Sequence, residues 1–275
     1  QQDLLAPRTS RARLFHDTVG IGHYFLDIHR CDMGGERKRD INFKHVQLSD
    51  GSWAGENSSG RFQIPYGALV PETTDGLLLA AKNIGLTRIA ASTYRLHPVE
   101  FQIGQAAGAA AALCVKWNCQ PRDLWAAEPA YPPSEAEKRL RRLQYELLRA
   151  DVPIFWNEDC GWDSDDFEAV QWACSLKLLE PDGPVFKPEK PLTRAEAALA
   201  ASRFAGKKDE SGAQPDAGAR KPATAAQFMK MLAPTPAVSP ESSNDRPLTR
   251  NEAARILYRE SLKRYELPSA QAARF

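Results

Sequence analysis

The sequence predicts a chain of two parts, an α/β (α+β) part over residues 1–150 and an all-α repeat module after it. Three observations predict this division. Short segments in which apolar residues alternate, typical of strands, fall before residue 70. A helix-forming segment rich in alanine and glycine follows near residue 100. A motif of eight residues then occurs twice near the C-terminus, which indicates a repeated helical unit.

Period-2 alternation predicts strands of a partly exposed sheet in the first part. The alternating residues are Val19, Ile21, His23 and Phe25, then Phe43, His45 and Gln47, and then Phe62, Ile64 and Tyr66. Turn-rich pieces at 33–35 and 49–52 separate these segments. The apolar run Leu77–Ala81 predicts a further strand, buried on both faces.

Two helices are expected next. The first is Pro98–Lys116, because proline suits the first turn of a helix, where its missing N–H would be unpaired. Gly104 and Gly108 share one face of it, so a helix, a sheet or a flat ligand can approach the backbone there. The second helix, over 134–150, starts with a capping box and is amphipathic. Its apolar side carries Leu140, Leu143, Leu147 and Leu148.

The C-terminal part contains an internal repeat. The motif P-L-T-R-x-E-A-A occupies 191–198 and 247–254, so the offset from Thr193 to Thr249 is 249 − 193 = 56 residues. In both copies the threonine and the glutamate have the spacing of a capping box, so each copy predicts a helix start. The sequence shows no third copy. Residues 206–223 are rich in Lys, Asp, Gly, Ala and Pro and predict a flexible linker.

Composition narrows the classes of function. The 275 residues carry 36 Lys+Arg against 35 Asp+Glu, and this balance excludes nucleic acid as an expected partner. The longest apolar run, 106–115, is shorter than the roughly 20 residues that a membrane-spanning helix needs.

Five cysteines without a CxxC motif predict no metal site, and Cys114 and Cys119 are expected to be buried thiols. The chain begins with Gln1 and no signal-peptide pattern follows, so we interpret it as a fragment.

Residues 78–108 indicate a ligand site without identifying the ligand. Arg95 and His97 precede the start of the predicted helix, and a helix N-terminus carries about half a positive charge and free N–H groups. Such a start suits a phosphate or a group that becomes anionic, such as a reduced flavin. The alternative is a helix that covers a sheet, with glycine and alanine present for tight packing only.

The order of several motifs resembles the C-terminal part of bacterial FAD-dependent oxidoreductases. These motifs are I-P-Y-G-A-L-V-P (64–71), K-N-I-G (82–85), Y-R-L-H-P-V-E (94–100) and I-G-x-A-A-G (103–108). The resemblance covers about residues 10–150 and implies a fold similar to glutathione reductase, with FAD as the cofactor. It implies that Ala81, Lys82 and Asn83 lie near the ribityl–phosphate part of FAD. It also implies that the pyrimidine edge of the flavin lies near His97, Pro98, Val99 and Glu100.

One feature of that family is not found in the sequence. The family's first half has a strand–GxGxxG–helix that binds the FAD pyrophosphate, whereas the nearest pair of glycines here is Gly20-Ile21-Gly22. We therefore interpret the chain as lacking the N-terminal Rossmann half and as forming one wall of the cofactor site. The candidates for catalysis are His97, His29 and Arg95. Each also has a structural interpretation, which for Arg95 is an ion pair with Glu100.

The first repeat unit resembles an S-layer homology domain, a helical module that often anchors bacterial proteins to anionic cell-wall polymers. The resemblance rests on F-E-A-V-Q-W-A (167–173), F-K-P (186–188) and L-T-R-A-E-A-A (192–198). It implies Arg194 and Arg250 as the candidate polymer contacts, since an arginine fork at a helix start suits a carboxylate. The second copy is degenerate, and a helical module that packs on the flavoprotein is the alternative.

The predicted organisation is an oxidoreductase part over 1–150, an S-layer homology-like unit over 151–206, a linker over 207–222 and a second unit over 223–275. The predicted function is hydride transfer between an organic small molecule and flavin. The alternative is a module that binds the cell-wall polymer and has no catalysis of its own. The expected location is extracytoplasmic or wall-associated if the repeats bind polymer, and cytoplasmic otherwise.

Overall fold

The computed structural model describes residues 12–25, 45–47, 53–55, 60–207, 218–232 and 246–268. The chain divides into two units. The first comprises Gln1–Ala127 and Arg139–Trp156, and the second comprises Glu128–Lys138 and Asn157–Phe275. Some predictions fall outside the described residues, namely His29, Phe43, the turn pieces at 33–35 and 49–52, and residues 208–217 of the linker.

The first unit has two short antiparallel strand pairs. β1 (Thr18–Gly22) pairs with β4 (Phe62–Pro65), and β2 (His45–Gln47) pairs with β3 (Trp53–Gly55). β1, β2 and β4 coincide, to within one residue, with segments where alternation predicts strands, whereas β3 follows the turn-rich piece at 49–52 and is not predicted. β1 is buried along its whole length, so the predicted partial exposure of the sheet does not hold for this strand. Short strands together with helices confirm a mixed α+β composition.

Among the described residues, side-chain amides take the place of a further strand beside β1. Gln102 pairs with Ile21 in both directions, since its Nε2 donates to Ile21 O at 3.0 Å and its Oε1 accepts from Ile21 N at 3.0 Å. Gln144 Nε2 donates to the carbonyl oxygens of His16 and Thr18, at 2.9 Å each. Buried backbone groups need partners, so these two glutamines complete hydrogen bonds that a neighbouring strand would otherwise supply.

Two helices follow the strands. They are α1 (Arg88–Tyr94) and α2 (His97–Trp117), and α2 confirms the predicted helix within one residue at each end. α2 packs against β1. A Cβ placed on Gly104 would lie 3.6 Å from Ala80 O, so the chain's own backbone approaches the helix there. No described atom lies within 4 Å of a Cβ placed on Gly108, which is exposed.

The predicted buried strand Leu77–Ala81 is wrong. These residues have no regular secondary structure, and Leu77 is 44% exposed. The Leu79 N–H donates to Leu69 O at 2.9 Å, and Leu69 belongs to a 3-10 turn. An apolar run becomes a buried strand only where strands on both sides pair with its backbone. In the described part of this unit, no strand lies beside this run.

α3 (Glu135–Arg149) confirms the second predicted helix. It starts one residue after Ser134, whose Oγ accepts a hydrogen bond from Glu137 N at 3.1 Å. The apolar side is as predicted, and its four leucines are between 0% and 2% exposed. Because a leucine buried in this way contributes about 2 kcal/mol of transfer free energy, packing of this face rather than helix propensity stabilises α3.

Four helices lie in the described part of the second unit after α3. They are α4 (Phe167–Ser175), α5 (Arg194–Phe204), α6 (Ala225–Leu232) and α7 (Arg250–Arg264). α4 packs against α7, and α5 packs against α6. Thr193 and Thr249 each form a capping box with the glutamate three residues later, which confirms both predicted helix starts.

A third helix start has the same construction, although the sequence shows no third copy. Before α6, Thr224 Oγ1 accepts from Gln227 N at 3.3 Å, and Gln227 Oε1 accepts from Thr224 N at 3.2 Å. The residues that precede the three threonines form a closed backbone ring. In this ring Leu192 N donates to Leu248 O, Leu248 N to Ala223 O and Ala223 N to Leu192 O, at 2.7, 2.8 and 2.8 Å.

Candidate functional site

The start of α2 and the segment 81–83 meet at the surface of the first unit. The Glu100 carboxylate lies between a lysine and a histidine, because Lys82 Nζ is 3.9 Å from its Oε1 and His97 Nδ1 is 3.8 Å from its Oε2. Asn83 Oδ1 accepts from Ala81 N at 3.2 Å and so shapes the turn that carries Lys82. The structure thus brings together the two groups of residues that the resemblance assigns to the cofactor.

No side chain caps the backbone N–H donors in the first turn of α2. The N-cap is Leu96, whose side chain has no acceptor atom. Pro98 lacks an N–H, which leaves His97 and Val99 as the donors of the first turn. The His97 side chain is 98% exposed, whereas Val99 is 4% exposed and packs in the core. At this exposed start of α2, which we call the opening, the helix dipole adds positive potential, and the Glu100 carboxylate of the same turn offsets part of it.

The predicted catalytic candidates have different positions. His97 lies at the opening itself. Arg95 is half-buried directly after α1, and it is separated from His97 by one residue. His29 lies outside the described residues. The structure therefore places two of the three candidates at or next to the start of α2.

Two other histidines make structural contacts in the first unit. His16 Nε2 is 2.6 Å from Ala126 O, and the His23 ring lies 5.7 Å from the ring of Trp156. In the described segments, no group of three or more His, Cys, Asp or Glu side chains is arranged to hold a metal ion.

The second unit has a cavity of about 270 Å³ beside the repeat motif. It is lined by Leu178, Leu179, Glu180, Pro181, Asp182, Phe186, Lys187, Lys190, Glu196, Leu199, Arg203 and Arg250. Four of these side chains are basic and three are acidic. Lys187 forms an ion pair with Asp182, and Lys190 Nζ is 3.7 Å from Glu196 Oε1. Arg203 and Arg250 are paired in the same way with Glu180 and Glu196, so the cavity has a mixed lining in which each basic side chain lies beside an acidic one.

The two arginines of the repeat have opposite environments. The Arg250 side chain is 4% exposed, and it donates to Glu196 Oε1 at 2.7 Å, to Phe186 O at 2.9 Å and to Glu180 O at 2.5 Å. Arg194 is exposed and does not line the cavity. The arginine of the motif is therefore buried and hydrogen-bonded in the second copy (Arg250) but exposed to solvent in the first (Arg194).

The glutamates of the two capping boxes are held in their ionised form. The hydrogen bond from Arg246 is the main cause that lowers the pKa of Glu252 to about 2. Burial acts to raise the pKa of Glu196, but hydrogen bonds from Thr193 and the charge of Arg250 lower it on balance. Since Glu196 lines the cavity, one wall carries a fixed negative charge beside its basic residues.

Several residues of these sites are not predicted from the sequence. Lys187 lies within the F-K-P motif and Lys190 just before the P-L-T-R motif, yet neither is predicted as a ligand contact. Their nearness to an arginine motif is a signal that could have found them. Leu96 was also missed. An apolar residue directly before a helix start, where Ser, Thr, Asp or Asn is preferred, marks an N-terminus that a ligand can cap.

Comparison with known families gives two matches. A family described as FAD dependent oxidoreductase matches residues 1–143, and the S-layer homology domain matches residues 162–198. These matches confirm both resemblances and their order along the chain. Neither the curated proteins nor the solved structures returned a match. No helix in the described ranges is both long enough and apolar enough to cross a membrane.

Proposed function

Because the chain belongs to the FAD-dependent oxidoreductase family, we propose that it forms one wall of a flavin site that transfers a hydride between an organic small molecule and the flavin. The observation that carries this proposal is the exposed start of α2, which lacks a side-chain cap and lies beside Lys82. It provides N–H donors and positive potential for an anionic edge of the cofactor.

The residues at this opening fit a flavin nucleotide. A lysine, small side chains and uncapped N–H groups are suitable partners for a phosphate and for an anionic ring edge. FAD, when bound, supplies the ring that accepts or donates the hydride. We assign Ala81, Lys82 and Asn83 to the ribityl–phosphate part of FAD, and His97, Pro98, Val99 and Glu100 to the pyrimidine edge.

The side chains of the opening have separate roles in this proposal. The α2 dipole stabilises negative charge at the opening, and Lys82 adds to that effect. Glu100 Oε2 lies 3.8 Å from His97 Nδ1, so the imidazole stands beside a carboxylate at this opening. We propose His97, His29 and Arg95 as the candidate catalytic residues, with Arg95 suited to bind a substrate carboxylate.

Replacing Leu96 by aspartate is expected to weaken FAD binding about tenfold, or roughly 1.4 kcal/mol. The new carboxylate would cap the first turn of α2 and place a negative charge where we propose an anionic group. The cap stabilises the helix by about 1 kcal/mol, which offsets the loss of a half-buried leucine. Flavin fluorescence anisotropy measures the affinity, and urea unfolding measures the stability.

Leu96→Asn is the matched control, because asparagine caps the helix without adding a charge. Its FAD affinity is expected to fall less than that of Leu96→Asp. Lys116→Ala, at the exposed far end of α2, is expected to leave the affinity unchanged. Equal affinities in Leu96→Asp and Leu96→Asn would contradict the electrostatic role of the opening, and with it the proposal.

The cavity in the second unit favours a second function, which is attachment to an anionic cell-wall polymer. An S-layer homology domain lies in this unit, and such a domain indicates association with the cell surface. A cavity of about 270 Å³ with four basic side chains has room for one acidic sugar. We propose Arg250 as part of its wall and Arg194 as a contact outside it, with the protein located at the wall.

Alanine variants test the attachment. Lys190→Ala and Arg194→Ala are each expected to lower the fraction bound to purified wall polymer about threefold to tenfold, since each removes one exposed cation, about 0.6–1.4 kcal/mol. Lys230→Ala, which removes an exposed lysine of α6 outside the cavity, is the matched control and is expected to bind normally. Full binding by both test variants, or an absence of binding by the unmodified chain, would argue against this function.

A further inference from the structure

α2 ends in a turn that places two cysteines side by side. Asn118 has a left-handed φ of 49°, and its N–H donates to Val115 O at 3.3 Å. The next residue, Cys119, donates its N–H to Cys114 O at 3.1 Å. These are the two hydrogen bonds of the Schellman motif, in which the residues at the positions of Cys114 and Cys119 commonly make an apolar contact. Here two thiols occupy those positions.

The two thiols differ in their accessibility. Cys114 is buried, whereas Cys119 is partly exposed, and neither forms a disulfide in the structure. Burial, followed by the charge of Cys119 and a hydrogen bond between the two thiols, raises the pKa of Cys114 to about 11. A reagent from solvent therefore meets Cys119 first, and Cys114 is held beside it as the second thiol.

We propose that Cys114 and Cys119 are a redox-active pair that reduces a low-molecular-weight disulfide. The Cys119 thiolate attacks one sulfur of the external disulfide, forms a mixed disulfide and releases the first thiolate. Cys114 then attacks the sulfur of Cys119 and releases the second thiolate. The protons of the two cysteines pass to the released thiolates. The external disulfide is thereby reduced by two electrons to two thiols, and the two cysteines are oxidised to one disulfide.

This pair is separate from the proposed flavin site. α2 has 21 residues and is about 30 Å long, and the flavin residues lie at its opposite end. A bond between residues 114 and 119 would close a loop of only six residues, for which stabilisation through the unfolded chain is smaller than for a long loop. A disulfide that is partly exposed is of the readily reduced kind. We therefore assign the pair to reversible thiol–disulfide exchange and not to a structural bridge.

The test uses the full chain and oxidised glutathione. The folded protein is oxidised, its remaining thiols are alkylated, and the denatured product is digested with trypsin. Lys116 lies between the two cysteines and Arg122 follows them, so trypsin places Cys114 in peptide 96–116 and Cys119 in peptide 117–122. The expected result is a disulfide-linked pair of these two peptides, which a reducing agent separates.

Single-cysteine variants show the order of the two steps. Cys114→Ser is expected to stop at one glutathione adduct on Cys119, and Cys119→Ser is expected to leave Cys114 unmodified. Cys174→Ser, which removes a buried thiol of the second unit, is the matched control and is expected to form the linked pair normally.

The rate in the folded chain decides the proposal without relying on any variant. The linked pair is expected to form at least tenfold faster in the folded chain than in the same chain unfolded in urea. The proposal is overturned if the folded chain yields no linked pair, or if the pair forms equally fast in urea. In either case the two cysteines are ordinary unreactive thiols.

Discussion

Replacing Arg250 by alanine is expected to lower the free energy of unfolding of the second unit by about 3–5 kcal/mol. The Arg250 side chain is 4% exposed and donates to three acceptors, which are Glu196 Oε1, Phe186 O and Glu180 O. Its guanidinium carbon also lies 4.7 Å from the centre of the Phe186 ring. Removal of the side chain leaves a carboxylate and two carbonyl groups without these donors, and such groups are costly when they are desolvated.

Urea unfolding of the full chain, followed by circular dichroism, measures this effect. Arg194→Ala is the matched control, because it changes the same motif position in the other copy, where the arginine is exposed. Its free energy of unfolding is expected to change by no more than about 0.5 kcal/mol. Arg250→Lys is expected to fall between the two variants, since an ammonium group lacks the planar fork of arginine. Equal losses at both positions would contradict the difference in environment.

Replacing Gln102 by leucine is expected to lower the free energy of unfolding of the first unit by about 2–4 kcal/mol. The Gln102 amide donates to Ile21 O and accepts from Ile21 N, at 3.0 Å each, and Ile21 is 9% exposed. Leucine has a similar size but no polar atoms, so it covers the same strand and leaves both backbone groups without these partners. Each buried group that loses its partner costs about 1–3 kcal/mol.

Gln105→Leu provides the comparison for this second prediction. Gln105 is also half-buried on α2, but its side chain takes no part in the edge of β1. Its replacement is expected to change the free energy of unfolding by no more than about 0.5 kcal/mol. Hydrogen exchange at the Ile21 amide is expected to accelerate in Gln102→Leu and not in Gln105→Leu. Slow exchange in both variants would show that Gln102 does not protect the strand edge.

Helix starts could be predicted because the information that sets them is local. Ser134, Thr193 and Thr249 each lie three residues before a glutamate, and a helix begins after every one of them. The same spacing with glutamine at 227 escaped prediction, although an amide oxygen accepts the backbone N–H of Thr224 as a carboxylate does. Glutamine can therefore take the place of glutamate at the third position of such a cap.

Features that depend on distant residues could not be predicted in the same way. The run Leu77–Ala81 has the composition of a buried strand, but a strand also needs neighbours, and these are not encoded in its own residues. Arg194 and Arg250 share one motif, yet only Arg250 meets the carboxylate of Glu196, which lies 54 residues away in sequence. The candidate flavin residues were assigned by resemblance, and the contacts of Lys82 and His97 with Glu100 come from the structure alone.

The backbone ring of Leu192, Ala223 and Leu248 constrains how this module can evolve. Each residue gives one hydrogen bond and receives one, and all three are between 0% and 3% exposed. An open array of repeats can lose or duplicate a unit at its end and leave the remaining interfaces intact. A ring has no end, so a deleted unit leaves a buried donor and a buried acceptor without partners, and an inserted unit has no position in it. Among the described residues this ring joins three threonine-capped helix starts, so we expect the loss of one of them to be tolerated less well than divergence of the residues around each threonine.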